Sequence, residues 1–205
     1  MSGKYEANGR KKWPWMLGVC VLIAVIVLLL TQCNGPDSGV PTLIVETPQK
    51  LSKSQTGDFT LDVTVSDLGD ARYPAMSMSV SFDASRVEFL GVEEGNTFVL
   101  SDENSTGQQL PDWSCNVQNS NDTGLINIMY LDMTGGKNAF CKELLAEDYN
   151  VVLRLRFRLR GSVRLGDVLD LIVEDAVFAA SDETQSLAMT TDTLKVKNGR
   201  LVIGE

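Results

Sequence analysis

Histidine is absent from this chain. That absence removes Ser-His-Asp and Cys-His nucleophile systems and the usual zinc sites, leaving an enzyme only carboxylate chemistry. The adjacent pair Glu93 and Glu94 cannot flank one bond, because neighbours on a strand face opposite ways. The chain therefore reads as a non-enzyme, with no cofactor implied. Aromatic residues are scarce at 7%. Beyond the apolar N-terminal segment there is one tryptophan, Trp113, and too few tyrosines for the planar platform a glycan binder usually presents. Positive charge is also in deficit, with 18 Lys and Arg against 27 Asp and Glu. Lys4, Arg10, Lys11, Lys12 and Glu6 all precede residue 34, so the remainder holds 14 bases and 26 acids, a net charge of −12. Such a surface is a poor partner for nucleic acid, whose phosphates need a net positive face.

What is present begins with a membrane signal. Arg10, Lys11 and Lys12 are followed by no charge until Asp37, and the run from Met16 to Leu30 is almost wholly apolar. Residues 13–33 supply the roughly 20 residues a span needs, with Trp13 and Trp15 at the interfacial position. Basic residues keep the N-terminal end in the cytoplasm. The expected organisation is a cytoplasmic basic segment (1–12), a single-pass signal anchor (13–33), a linker (34–42) and an extracellular domain (43–205). A cleaved signal peptide would lack its small-x-small site here, and a lipoprotein signal ending at Cys33 would have Gln32 where a small residue belongs. Secretion and lipidation are the alternatives. Two of the four cysteines, Cys115 and Cys141, fall in the domain; a disulfide between them would close a loop of about 26 residues, worth about 3 kcal/mol, and two buried thiols are the other reading.

The domain carries short alternating runs separated by turn residues: "TLIVET", "DFTLDVTV", "AMSMSVSF", "RVEFLGVE", "DWSCNVQ", "GLINIMYLD", "VVLRLRFRLR", "LDLIVEDAVFAA" and "TLKVKNGRLVIG". Nine strands, with only 137–148 looking helical, predict an all-β sandwich or jelly roll. In "VVLRLRFRLR" the period is two, so Arg154, Arg156, Arg158 and Arg160 share a face opposite Leu153, Leu155, Phe157 and Leu159. Like charges about 7 Å apart repel unless carboxylates on neighbouring strands compensate them, which the acidic excess can supply. "SDENSTG" and "NSNDTG" gather calcium-type ligands but read as turns. Asn104 and Asn121 match the glycosylation acceptor pattern.

Three stretches, in order, carry a family resemblance. "AMSMSVSFDASRVEFLGVEEGNTF" is similar to the early signature of cohesin domains; "GLINIMYLDMTGG" resembles their "GxIxFLYAD" strand and the loop after it; "VVLRLRFRLRG" with "LDLIVEDAVFAASDE" resembles their C-terminal strands. The resemblance covers roughly residues 43–203. It implies a nine-stranded jelly roll related to carbohydrate-binding modules of bacterial polysaccharide-degrading systems. It also implies a partner, a dockerin-type protein module, with direct polysaccharide binding as the alternative. The family's partner face is built from the third, fifth, sixth and eighth strands, here 75–82, 112–118, 125–132 and 169–180. Alternation turns Met76, Met78, Val80 and Phe82 inward and Ser77, Ser79 and Ser81 outward; on the sixth strand Leu125, Asn127, Met129 and Leu131 point out, with Asp132 at its end. These seven outward residues and Asp132 are the candidate partner-binding set. The sequence departs from the family at Ser77, where a longer polar or acidic residue is common. The acid expected at the end of the sixth strand is Asp132.

Overall fold

Apolar alternation builds two sheets that close on each other, seen in a computed structural model that describes residues 39–54, 57–97, 113–136, 138–142 and 150–205. The strands are β1 (Thr42–Val45), β2 (Leu51–Ser52), β3 (Asp58–Ser66), β4 (Ala75–Ser81), β5 (Val87–Glu94), β6 (Ser114–Cys115), β7 (Leu125–Leu131), β8 (Val151–Leu159), β9 (Val168–Ala179), β10 (Leu187–Ala188), β11 (Lys195–Lys197) and β12 (Gly199–Gly204). One α-helix, α1 (Val117–Thr123), is found among the described residues. One sheet runs β11-β1-β3-β8-β5; the other runs β2-β12-β9-β4-β7-β6, with β10 against β9. This is the predicted all-β sandwich, with Gly39–Glu205 forming one compact unit.

Twelve strands among the described residues replace the nine expected. Two are two-residue additions, β2 and β10. The third arises because "TLKVKNGRLVIG" is split between sheets: β11 runs parallel to β1, whereas β12 pairs antiparallel with β9. The crossing falls at Asn198, whose Oδ1 accepts the Val173 N–H at 3.0 Å and so satisfies a donor at the corner.

"DWSCNVQ" is also corrected. Only Ser114 and Cys115 pair, and the chain then turns into α1, because the Asn116 side chain accepts the Asn119 N–H and caps the helix. Gly124 ends the helix at φ 72, where a Cβ would lie 2.9 Å from the Phe82 carbonyl. Asn121 does not present its amide to solvent for glycosylation. Its Oδ1 accepts the Phe89 N–H and its Nδ2 donates to the Phe89 carbonyl, both at 2.8 Å, so it occupies the edge of β5. The helix expected over 137–148 is contradicted where it is described: Phe140 forms a β-bridge with Tyr73 instead. Residues 137 and 143–149 lie outside the described residues, as do the segments 1–12 and 13–33, Asn104 and most of the 34–42 linker. Among the described residues no helix is long and apolar enough to cross a membrane.

No disulfide joins Cys115 to Cys141. Cys115 is paired to Ile128, which lies opposite Met78 of β4, while Cys141 follows the bridge at Tyr73. Five residues of nearly extended chain separate those levels, on the order of 15 Å, against a Cα reach of about 7 Å for a disulfide. Burial raises the Cys115 thiol above its ordinary range, keeping it protonated and unreactive.

The core is a continuous apolar layer. Phe157 of β8 lies 5.9, 5.7 and 5.6 Å from Phe59, Phe82 and Phe89, joining residues from both sheets, and Tyr130, Phe140, Phe178 and Tyr73 form a second aromatic group. On the outside of β8 the arginines meet carboxylates from both neighbours. Arg154 reaches Asp62 at 3.0 Å, Arg156 reaches Asp58 at 2.8 Å and Glu93 at 3.3 Å, and Arg158 reaches Asp58 at 2.7 Å. The register explains the fit, since Asp62 and Glu93 both lie opposite Arg154, and Asp58 and Glu88 both lie opposite Arg158.

Candidate partner-binding face

β9, β4, β7 and β6 are consecutive neighbours in one sheet, so the four segments named from sequence do share a surface. Its rows can be read from the register. Across the middle run Val177, Ser77, Met129 and Ser114; one row along lie Asp175, Ser79 and Asn127; in the other direction lie Ala179, Ala75 and Leu131. Met76, Met78, Val80, Ile126, Ile128 and Tyr130 are all buried beneath, as the alternation predicted. The outward set is therefore brought together: Ser77, Asn127, Met129 and Leu131 are exposed, and Ser79, Ser81 and Leu125 are half-buried.

The face is polar at one end and apolar at the other. Ser79 Oγ donates to Asn127 Oδ1 at 2.8 Å, and Ser81 Oγ donates to Glu174 Oε1 at 2.7 Å. Between α1 and the sheet lies an open concavity of about 420 Å³, lined by uncharged groups including Ser77, Ser79, Ser114, Asn119, Asn127 and Met129. Toward the other end Met129 and Leu131 are each 58% exposed, Met133 is 81% exposed, and a shallower apolar depression of about 180 Å³ lies among Ala75, Met129, Leu131, Val177 and Ala179. Met129 and Leu131 thus leave a contiguous apolar area bare on this face.

Asp132 stands apart from the outward set. Its Oδ1 accepts the Thr134 N–H and hydroxyl at 2.7 and 2.5 Å, and its Oδ2 is buried, so the carboxylate shapes the turn after β7 and is not displayed on the face. Together with burial, its charge drives the Tyr130 phenol above the ordinary tyrosine range, with burial the larger cause. The Tyr130 hydroxyl donates to the Asn138 carbonyl at 2.9 Å, which ties the loop over the sheet's end.

Sequence reading placed 169–180 on this face but assigned no outward residues there. A register shift between Ser79 and Val80 makes Glu174 an extra residue and places Asp175 opposite the outward Ser79. The signal was present in "LDLIVEDAVFA": buried positions fall on Leu169, Leu171 and Val173, then change phase to Ala176 and Phe178. Trp113, the lone tryptophan of the domain, packs 5.2 Å from Tyr130 and 6.2 Å from Phe140, so its ring serves the core. No group of three metal-ligating side chains occurs among the described residues.

No family model matches the sequence, and no curated protein does. Solved structures match well. The cohesin of the OlpA complex with dockerin 918 from Clostridium thermocellum superimposes at a TM-score of 0.54 and 15% identity, over 80% of this chain and 99% of that one. The fold is that of a cohesin module. The third cohesin of ScaC from Acetivibrio cellulolyticus, solved with the ScaB dockerin, gives a TM-score of 0.54 at 12% identity over 80% of this chain and 99% of that one. A type III cohesin from the cell-surface anchoring scaffoldin ScaE of Ruminococcus flavefaciens gives 0.51 at 13% identity over 82% and 89%. The cohesin fold thus spans the described unit, including the four-stranded face.

Proposed function

We propose that the chain is a cell-surface-anchored, non-catalytic binding module of cohesin type that captures a dockerin-type protein module on the outward face of β9, β4, β7 and β6. The observation that carries this reading is the pair of bare anchors, Met129 and Leu131, beside the outward serines Ser77, Ser79 and Ser81 of β4. Apolar anchors surrounded by small polar residues suit a protein partner, which desolvates them at the centre of the contact. Two solved relatives of the same fold are complexes with dockerins, which supports the choice of partner. The anchor predicted over 13–33 would display the module outside the cell, where enzymes of polysaccharide degradation are the cargo. Nucleic acid is no partner, given a net charge of −9.

Direct polysaccharide binding has one observation in its favour, the uncharged serine and asparagine lining of the larger concavity. Against it stands the use of Trp113 inside the core, which leaves the face without an aromatic platform. The test immobilises residues 39–205 and titrates dockerin modules encoded in the same genome, beside cellulose and xylan pull-downs. Saturable dockerin binding that Met129→Asp abolishes is expected. Binding to polysaccharide alone would replace this reading with the second one.

A further inference from the structure

The helix α1 is held from the opposite sheet. Its ends are fixed by the chain, at β6 before it and at Gly124 after it, whose carbonyl accepts the Phe82 N–H at 2.9 Å. Its lateral position is set by β5, the last strand of the five-stranded sheet. There the open edge presents the N–H and C=O of Phe89, and the Asn121 amide satisfies both, as a neighbouring strand would. The same Nδ2 donates to the Val117 carbonyl at 3.0 Å, which fixes the side chain against its own helix. One step along, the pairing of β5 with β8 shifts between Phe89 and Gly91; Gly91 takes φ 136, and Val117 Cγ2 lies 3.9 Å from the place a Cβ would occupy there. A step further the Val92 N–H is hydrogen-bonded to the Cys115 thiol. Asn121, Val117 and Cys115 thus close an edge that a strand of another chain could otherwise pair with.

The other side of the helix is a wall. Asn116, Asn119 and Ser120 line the concavity of about 420 Å³ together with Ser77 and Ser79 of β4 and Asn127 of β7, and Asn121 is not among the lining residues. We propose that Asn121 is the positioning residue of this concavity: its amide, standing in for a strand on β5, sets how far α1 stands from β7 and so the width of the space between them. The consequence for a partner rests on the protein-binding reading above; the positioning itself does not. A primary amide suits the task because it carries a donor and an acceptor side by side, matching the N–H and C=O of one residue, whereas a carboxylate offers no donor. Cys115 reports on the arrangement. Its thiol is half-buried, lines the concavity and is tied to Val92, so it becomes accessible when α1 leaves β5.

The experiment reads that thiol in the full chain. Asn121→Ala should speed alkylation of Cys115 by iodoacetamide, followed by mass spectrometry of its peptide, by about tenfold or more, while buried Cys141 keeps its wild-type rate. Hydrogen exchange at the Phe89 amide should accelerate with it. Asp122→Ala, at the next and exposed position of the helix, should change neither. For the dockerin modules of the preceding test, Asn121→Ala should weaken binding by about tenfold and Asp122→Ala by less than about threefold. If Asn121→Ala labels Cys115 and Cys141 alike, the domain has opened as a whole, and Asn121→Asp is read in its place with the same expectation, since it keeps the shape and the acceptor for the Phe89 N–H and loses only the donor. Unchanged Cys115 labelling overturns the assignment, and so does equal labelling of both cysteines in both variants, which would show a purely structural role. Faster labelling with unchanged dockerin affinity overturns the consequence for the partner. A wild type that binds no dockerin defeats the protein-binding reading, and the positioning role is then decided by the labelling alone.

Discussion

The outward faces of the two sheets are built on opposite principles. On the five-stranded sheet every arginine from Arg154 to Arg158 finds a carboxylate on β3 or β5, so charge is dense and satisfied internally. On the other sheet β9, β4, β7 and β6 carry no lysine or arginine, display bare Met129 and Leu131, and leave Asp175 Oδ1 without a donor among the described residues. A self-satisfied face gains little by meeting a partner, because each ion pair would have to be desolvated or broken. A face with exposed apolar area gains on contact. The contrast, more than either face alone, supports the proposal that the β9, β4, β7 and β6 face is the binding side.

That contrast can be broken at several depths. Phe157→Ala removes a buried ring shared by both sheets and should cost about 3 to 5 kcal/mol in chemical denaturation, enough to remove the two faces together. Next in size, Met129→Asp should leave the unfolding midpoint nearly unchanged, because the residue is mostly exposed, yet cost about 2 kcal/mol or more of partner binding measured by titration calorimetry, since it would bury an unpaired charge in the complex. Replacing Arg154, Arg156 and Arg158 together by serine should keep partner affinity within about threefold, with changes confined to solubility and salt response. A loss of binding in that triple variant with Met129→Asp still active would reverse the assignment of faces.

The smallest effect is one of pH. Hydrogen bonds from Arg156 and then Arg158 hold the Asp58 carboxyl below its ordinary value of 3.8. A depressed folded-state value means the unfolded chain binds the proton more readily, so the stabilisation is fully present above 3.8 and is lost as pH falls through the lowered folded value. Unfolding curves of wild type and Asp58→Asn should therefore differ at neutral pH and converge in acid below that range. Convergence already near pH 6 would show that the ladder is not responsible.

Much of this was legible in the chain. The strict period of two in "VVLRLRFRLR" placed the arginines outside and Phe157 inside, and the same rule gave the buried and outward sets of β4 and β7. The ordered resemblance to cohesins pointed to the sandwich that the solved structures match. What was misread has local physical causes. Asn116 caps a helix, so a stretch with strand-like alternation around Trp113 bends after two paired residues. Asp132 satisfies the turn that follows it, so an acid at the right position in sequence is withdrawn from the face.

Side-chain alternation depends only on neighbours along the chain, and the sequence by itself therefore determined the all-β class, the inward and outward sides of each regular strand, and the acidic excess that compensates the arginines. Which strands lie side by side depends on contacts between distant residues. The tertiary structure alone decided that Asp62 and Glu93 flank Arg154, that the chain changes sheets at Asn198, and that Asp175 stands beside Ser79. The last of these follows from a single extra residue in β9, whose effect on facing is fixed only when β4 pairs with it.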